Sequence, residues 1–560
     1  MKKICSGMLV GIAFMFIGLI KVNAQVVSCS NYDFNFEIVS ATERTIRITD
    51  YLGSATEVVI PAQCEYIPDI GYTIVEIGDY AFFDQARTVN LTSVTIPSSV
   101  ETIGERAFYW NELTSVIFED TEEKPSQLTT IGRYAFCYNN LVNITIPSSV
   151  ETIEKNAFSH NDLERVVFVD DVNKPSQLLK IGNSAFLYNA LENIVIPRNV
   201  NLIEKSAFES NKIERAIIPS GIETIERYAF YYNKLGSITI ASTVETIGEW
   251  AFAYNDLESV IFEDTEEKPS QLTTIGEYAF FNNEIINISI PNNVTRIDTG
   301  VFNSNLLTSG NEFIYARTDI DGNGIAEIDT TTLISYGGAN KNVIIPKGVI
   351  TIGEYALSDN ELVSVTIPSS VTSVGRLAFS HNDLETVRIL SKNIGGYDSS
   401  AFDDNHFLWE IYGYAGIGLD TYAEDIYCNF IPFKELTTNN TVLSPITTQT
   451  YTGVALTPSF TVIYNDRPLV LGTDYEVTYE DNEAAGIGKA IVAGLGEYAG
   501  NVEKLFLIVQ EEELQALVET SSQTSIEENP KTFDGIIFYE ITGLISLIGL
   551  FGTCLCLKRG

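Results

Sequence analysis

The chain has 560 residues, 45% of them hydrophobic and 19% charged, so there is ample apolar material to bury and a disordered chain is excluded. Asp and Glu number 74 against 34 Lys and Arg, and the resulting net charge of −40 repels phosphate and argues against a nucleic-acid binder. Three His and seven Cys leave little material for metal or nucleophile chemistry. The chain opens with Lys2 and Lys3, an apolar run over 4–20, and Val22-Asn23-Ala24 ahead of a cleavage position, which predicts a secretory signal peptide over 1–24. Residues 25–73 read as an N-terminal cap. Cys29 and Cys64 either bridge there or remain thiols, and with Cys137 and Cys428 they are too scattered to form a disulfide framework.

From residue 74 to 433 one unit recurs about thirteen times. Its core, Ile-Gly-x-x-Ala-Phe, ends at Phe82, Phe108, Phe136, Phe158, Phe186, Phe208, Phe230, Phe252, Phe280 and Phe302, with weaker copies ending at Leu357, Phe379 and Phe402. The commonest spacing is 22, alternating in places with 28, and a period of that length means a solenoid in the leucine-rich-repeat range. In Val94-Thr95-Ile96-Pro97 the alternation predicts a strand with one buried face, stopped by a proline that cannot donate to a ladder. Val100, Ile103, Ala107 and Phe108 then fill the interior. One unit cannot bury its own apolar side, so the coils must stack, giving a β-rich α/β solenoid, a right-handed horseshoe with a parallel sheet. An Asn stands three residues after the closing position in twelve of the thirteen units, from Asn111 to Asn405, and such a column can satisfy turn backbone groups coil by coil. The 28-residue units carry an acidic rim loop, and 119–128 recurs identically at 263–272, the mark of segment duplication.

Two surfaces emerge from this pattern. The residue between the buried pair of each strand should point outward: Thr95, Ile117, Thr145, Val167, Val195, Ile217, Thr239, Ile261, Ser289, Ile344, Thr366 and Arg388. This β-branched, nearly uncharged stripe on an acidic protein is the expected partner-binding face, although β-propensity alone also selects such residues. The second is a rim column of Trp110, Tyr138, His160, Tyr188, Tyr232 and Tyr254, able to stack on a sugar or anchor a protein, or simply to cover the adjacent coil. His381 occupies the same slot as His160, which makes both repeat variants.

An insertion near 306–342 holds Asp319, Asp321, Asn323 and Gly324, then Glu327 and Asp329. The spacing echoes a calcium loop, but Thr330 stands where the bidentate Glu belongs, so a solvated acidic turn is the alternative. Beyond 433 the period stops. Residues 434–445 read as a linker and 446–510 as a small β-sandwich of short strands punctuated by Gly and Pro turns. Residues 511–530 form a polar stalk and 531–560 a tail whose apolar run over 535–557 is long enough to span a bilayer. No G-x-S-x-G, H-E-x-x-H, paired C-x-x-C or phosphate loop occurs, so neither a catalytic set nor a cofactor is expected.

The repeat resembles the BspA-type leucine-rich repeat over residues 74–433. That resemblance implies a cell-surface protein engaged in adhesion to an extracellular protein or glycan on a host or neighbouring cell, with no catalytic residues. Residues 446–510 resemble the Ig-like modules placed near the wall in bacterial surface proteins. Asn529-Pro530-Lys531-Thr532, the apolar run and Lys558-Arg559 resemble a Gram-positive sorting signal, with Phe533 in place of the usual Gly. The tail is thus either a sorting signal or a membrane anchor. A structural surface protein without a specific ligand is the alternative function.

Overall fold

The computed structural model describes residues 27–28, 33–67, 70–83, 89–308, 310–318, 327–394 and 398–511. The signal peptide, Cys29, the acidic loop at 319–324, the stalk beyond Glu511 and the tail lie outside them. Two compact units are present, one ending at Phe433 and one beginning at Lys434.

Each coil of the first unit stacks on its neighbours through three segments. The first is the expected strand. Ser93–Ile96 and Ser115–Phe118 run parallel with Val94 opposite Val116 and Thr95 opposite Ile117. The second is a two-residue strand, Thr102–Ile103 in one coil and Thr130–Ile131 in the next, paired in parallel register. These short Thr-Ile strands, not the Val-x-Ile strands, build the long sheet, which continues unbroken from Ile70–Ile77 to Arg296–Ile297. The Val-x-Ile strands fall into separate groups of two, three and five. The expected parallel pairing thus occurs on two faces of the coil, continuous over many coils on one and broken into short groups on the other.

The third segment is the Gly-x-x-Ala-Phe-x-x-Asn turn. Arg106 and Trp110 are both left-handed, at φ 55° and 59°, and the pattern repeats at Tyr134 and Tyr138, Tyr228 and Tyr232, and Trp250 and Tyr254. A non-glycine residue in this region costs roughly 1–2 kcal/mol. Hydrogen bonds to the following coil offset the cost: Arg106, Phe108 and Trp110 donate their amides to the carbonyls of Arg133, Ala135 and Cys137 at 2.8–2.9 Å. The expected β-rich solenoid with parallel strands is present, built of strands and turns with almost no helix. The one helix among the described residues, Leu419–Asp425, lies at the end of the first unit.

Inside, the phenylalanines form a spine. Phe82 to Phe302 stack coil on coil with ring centroids 4.6–5.6 Å apart, and Phe108 and Phe136 are fully buried. Beside the spine runs the asparagine column. Asn139 donates to the carbonyls of Phe108 (2.9 Å) and Phe136 (3.1 Å) and accepts from the amide of Leu113 (3.0 Å). Its counterparts at 111, 161, 189, 211, 233, 255, 283, 305, 382 and 405 repeat that triad.

The rim loops have a common lock. Asp120 accepts from the Ser126 amide and the Ser126 hydroxyl from the Leu128 amide, and Asp264, Ser270 and Leu272 repeat the geometry. The six extra residues leave the register of the long sheet untouched. In the insertion, Phe313–Thr318 and Glu327–Tyr336 form an antiparallel pair, and Thr332 and Leu333 of the second strand resume the Thr-Ile slot opposite Thr351 and Ile352. The long sheet ends just before this point, and fully buried Asn303 ties the seam, donating to the carbonyls of Tyr355 and Ser358 and accepting from the Ser335 hydroxyl.

In the second unit, Tyr475–Glu480, Gly486–Gly494 and Asn501–Val509 form antiparallel neighbours. The segment expected as a linker is not one. Lys434–Glu435 pairs with Tyr498–Ala499, and Thr441–Leu443 pairs with Val462–Tyr464. Leu436 lies in the core with Val462, Tyr475, Val492 and Tyr498.

The cysteines differ in state. Cys64 is disulfide-bonded, whereas Cys137 and Cys428 are free. Burial pushes both free thiols up to about 11, against weaker opposing hydrogen bonds from Ser159 at Cys137 and from backbone at Cys428. About a thousandth of each is then thiolate at pH 8. Iodoacetamide at that pH should leave both unmodified in the folded protein and label both on unfolding, as read by intact mass.

Candidate recognition face

The Val-x-Ile strand fixes the direction of each stripe residue: the flanking pair faces the core, so the middle residue faces solvent. Ile117, Thr145, Val195, Ile217, Thr239, Ile261 and Ile344 are exposed, while Thr95, Val167, Thr366 and Arg388 are half-buried. Register brings them together in pairs and one set of three. Thr95 stands opposite Ile117, Thr145 opposite Val167, Val195 opposite Ile217, Thr239 opposite Ile261, and Ile344 opposite Thr366, which is followed by Arg388. Ser289 is exposed but belongs to no strand; on this face its coil is joined to the preceding one only by the Ser259–Asn287 bridge. Here Asn287 and Asn293 dilute the β-branched pattern. The reading missed Val59, which is exposed and stands opposite Thr95, extending the stripe into the cap. Its signal was the Val58-Val59-Ile60-Pro61 echo of the repeat strand.

In the rim column Trp110, Tyr138, Tyr188 and Tyr232 are exposed, while His160 and Tyr254 are half-buried. His160 stacks on Tyr138 at 4.3 Å and lies 5.0 Å from Tyr188. Its Nδ1 has no hydrogen-bond partner, and burial holds the imidazole below its usual range. The column breaks at Ser210 and resumes with Tyr232 and Tyr254, 6.3 Å apart. A parallel column four residues earlier in the repeat escaped the sequence reading: Arg106 lies 4.8 Å from the Tyr134 ring and Trp250 stacks on Tyr278 at 4.5 Å.

No metal-holding group occurs among the described residues. Asp329 is occupied locally, accepting from Thr331 and Thr332, and the Thr331 hydrogen bonds hold its carboxyl below the usual range. No helix among the described residues is long and apolar enough to cross a membrane.

Parallel strands stacked once per turn of about 22 residues define a leucine-rich-repeat solenoid. The chain belongs to the family whose model is described as the BspA type leucine rich repeat region, which matches residues 62–176, 169–268, 264–311 and 335–451. Among solved structures, a leucine rich cell surface protein of Faecalibacterium prausnitzii is 22% identical, covering 73% of this chain and 94% of its own, at a TM-score of 0.37. The pneumococcal vaccine antigen PcpA is 17% identical over 73% of this chain and 99% of its own, with a TM-score of 0.46. A leucine-rich repeat protein of Bacteroides ovatus is 18% identical over 72% and 98%, with a TM-score of 0.40. No curated protein matches the chain.

Proposed function

We propose that this is a non-enzymatic cell-surface recognition protein that adheres to an extracellular protein or glycan on a host or neighbouring cell. The observation that carries the reading is the stripe: aliphatic side chains stand exposed on the same strand of successive coils of a protein with a net charge of −40. Fully burying one such side chain is worth about 1.5–3 kcal/mol, so a few of them supply useful affinity after the cost of association. In the same reading the leader directs export, the second unit acts as a spacer, and the tail anchors the chain to membrane or wall.

The test is a binding screen of the protein against matrix proteins and glycans, followed by replacement of Ile117, Val195, Ile217 and Ile261 with Lys. Val195 is preferred to Val167 because it is 62% exposed. Folding, followed by circular dichroism, should be unchanged, and saturable binding should be lost. Unchanged affinity would show that the partner uses another surface, and absence of any saturable partner would leave a purely structural surface protein.

A further inference from the structure

The stripe is interrupted in a regular way. No ladder joins Ser115–Phe118 to Asn143–Ile146, Arg165–Phe168 to Asn193–Val195, or Arg215–Ile217 to Ser237–Ile240, although each of these strands pairs on its other side. A cleft opens at each gap, of about 220, 640 and 350 Å³ respectively. All three share one chemistry. Stripe residues form the walls (Ile117 with Thr145, Val167 with Val195, Ile217 with Thr239), and an exposed amide or hydroxyl stands at each mouth: Asn143, Asn193 and Ser237. Phe118 and Phe168 line the first two, their rings edge-on to Phe136 and Phe186.

Successive clefts are two coils apart, which at the spacing of neighbouring strands is about 10 Å. A polyproline II chain advances about 9 Å in three residues and turns once in doing so, returning every third side chain to the same face. A β-strand covers a similar distance in three residues but presents alternate ones to opposite faces. Of these two extended conformations, the first alone sends one side chain into each cleft in turn while its unbonded backbone faces the mouth amides. Charge narrows the occupant further. Asp120 and Asp170 are already paired with Lys174 and Arg198, and of the remaining charged lining residues three are carboxylates (Glu164, Glu192 and Glu263) against two arginines (Arg165 and Arg215), none of them in an ion pair among the described residues, within a chain of net charge −40.

We infer that the three clefts together bind an extended polyproline II segment of a partner protein, with an apolar residue at every third position and basic residues between. This rests on the strand face being the recognition surface. The probe is a labelled peptide of repeated Leu-Pro-Lys triplets, compared by fluorescence anisotropy on the full chain with a peptide of the same composition whose leucines fall at every second and fourth position. The triplet peptide should bind about tenfold more tightly, a difference of about 1.4 kcal/mol. High salt should weaken both peptides, and the double variant V195K/I217K should abolish the preference. Equal affinities, or a preference that survives in the variant, would overturn the inference. If the four-lysine stripe variant loses its screened partner while the two peptides bind alike, recognition by the stripe stands and only the threefold fit fails. The peptide comparison on the unaltered chain decides the matter even if a variant does not fold.

Discussion

Phe186→Ala should lower the unfolding free energy of the first unit by about 3–5 kcal/mol. The ring is fully buried, stacked 5.4 Å from Phe158 and 5.6 Å from Phe208, with Phe168 edge-on at 6.3 Å. Removal leaves a hole in mid-spine. The neighbours cannot close it, because their backbones are held at fixed spacing by the turn bonds of Phe158 to Ala185 and Phe186 to Ala207. Each coil contacts only its neighbours, so the loss should also weaken coupling between the two halves of the stack. Urea unfolding followed by tryptophan fluorescence and far-ultraviolet circular dichroism should then give two separated transitions. Phe186→Leu, which refills much of the volume, should lose markedly less. A cost below about 1 kcal/mol for the alanine variant is incompatible with a close-packed spine.

Asn211→Leu is expected to be nearly as damaging. Asn211 donates to the carbonyls of Phe186 (2.9 Å) and Phe208 (3.1 Å) and accepts from the amide of Leu191 (3.1 Å), all in the interior. Leucine has similar size but satisfies none of them, and each buried group left without a partner costs about 1–3 kcal/mol. Asn211→Asp offers a sharper readout. The carboxylate still accepts from Leu191 but faces two carbonyl oxygens with no proton to give, so burial and those oxygens raise its folded-state pKa above the unfolded value. An acid with a raised folded pKa binds its proton more tightly in the native state, and its presence destabilises increasingly as pH rises. The aspartate variant should therefore recover stability, relative to the unaltered protein, as pH falls through the folded pKa. Parallel denaturation curves at acidic and neutral pH measure this. A penalty independent of pH would mean that the side chain had turned out to solvent.

Much of this was legible in one sequence because it is written many times over. Phe108, Phe136 and their successors fall at the closing position of every unit but the one that ends at Leu357, and nothing but stacking accounts for a large ring at so regular an interval. The outward direction of Ile117 or Val195 follows from the two-residue alternation of its strand. The Thr102–Ile103 sheet left no such trace, since two residues cannot display alternation and their pairing partners lie 22 or 28 positions away. Left-handed residues were equally silent. Tyr134, Ser184, Ser206 and Trp250 share a backbone geometry but no side-chain property, because what stabilises that geometry is a carbonyl of the next coil. The gaps between strands depend on spacing in three dimensions. Lys434 and Glu435 read as linker because their ladder partners, Tyr498 and Ala499, lie more than sixty residues downstream in irregular sequence.

The rim loops have a consequence for how such a molecule changes over generations. Thr130 pairs with Thr102 across 28 residues and with Thr152 across 22, in the same register. Coils of either length are therefore interchangeable parts, and misaligned recombination between them adds or deletes a whole turn without a frame slip in the sheet. The identical stretches 119–128 and 263–272 are the scar of such an exchange. Each event lengthens or shortens the solenoid by about 4.8 Å. The length of the solenoid can thus be inherited as a copy number, tuned one coil at a time without redesigning any coil.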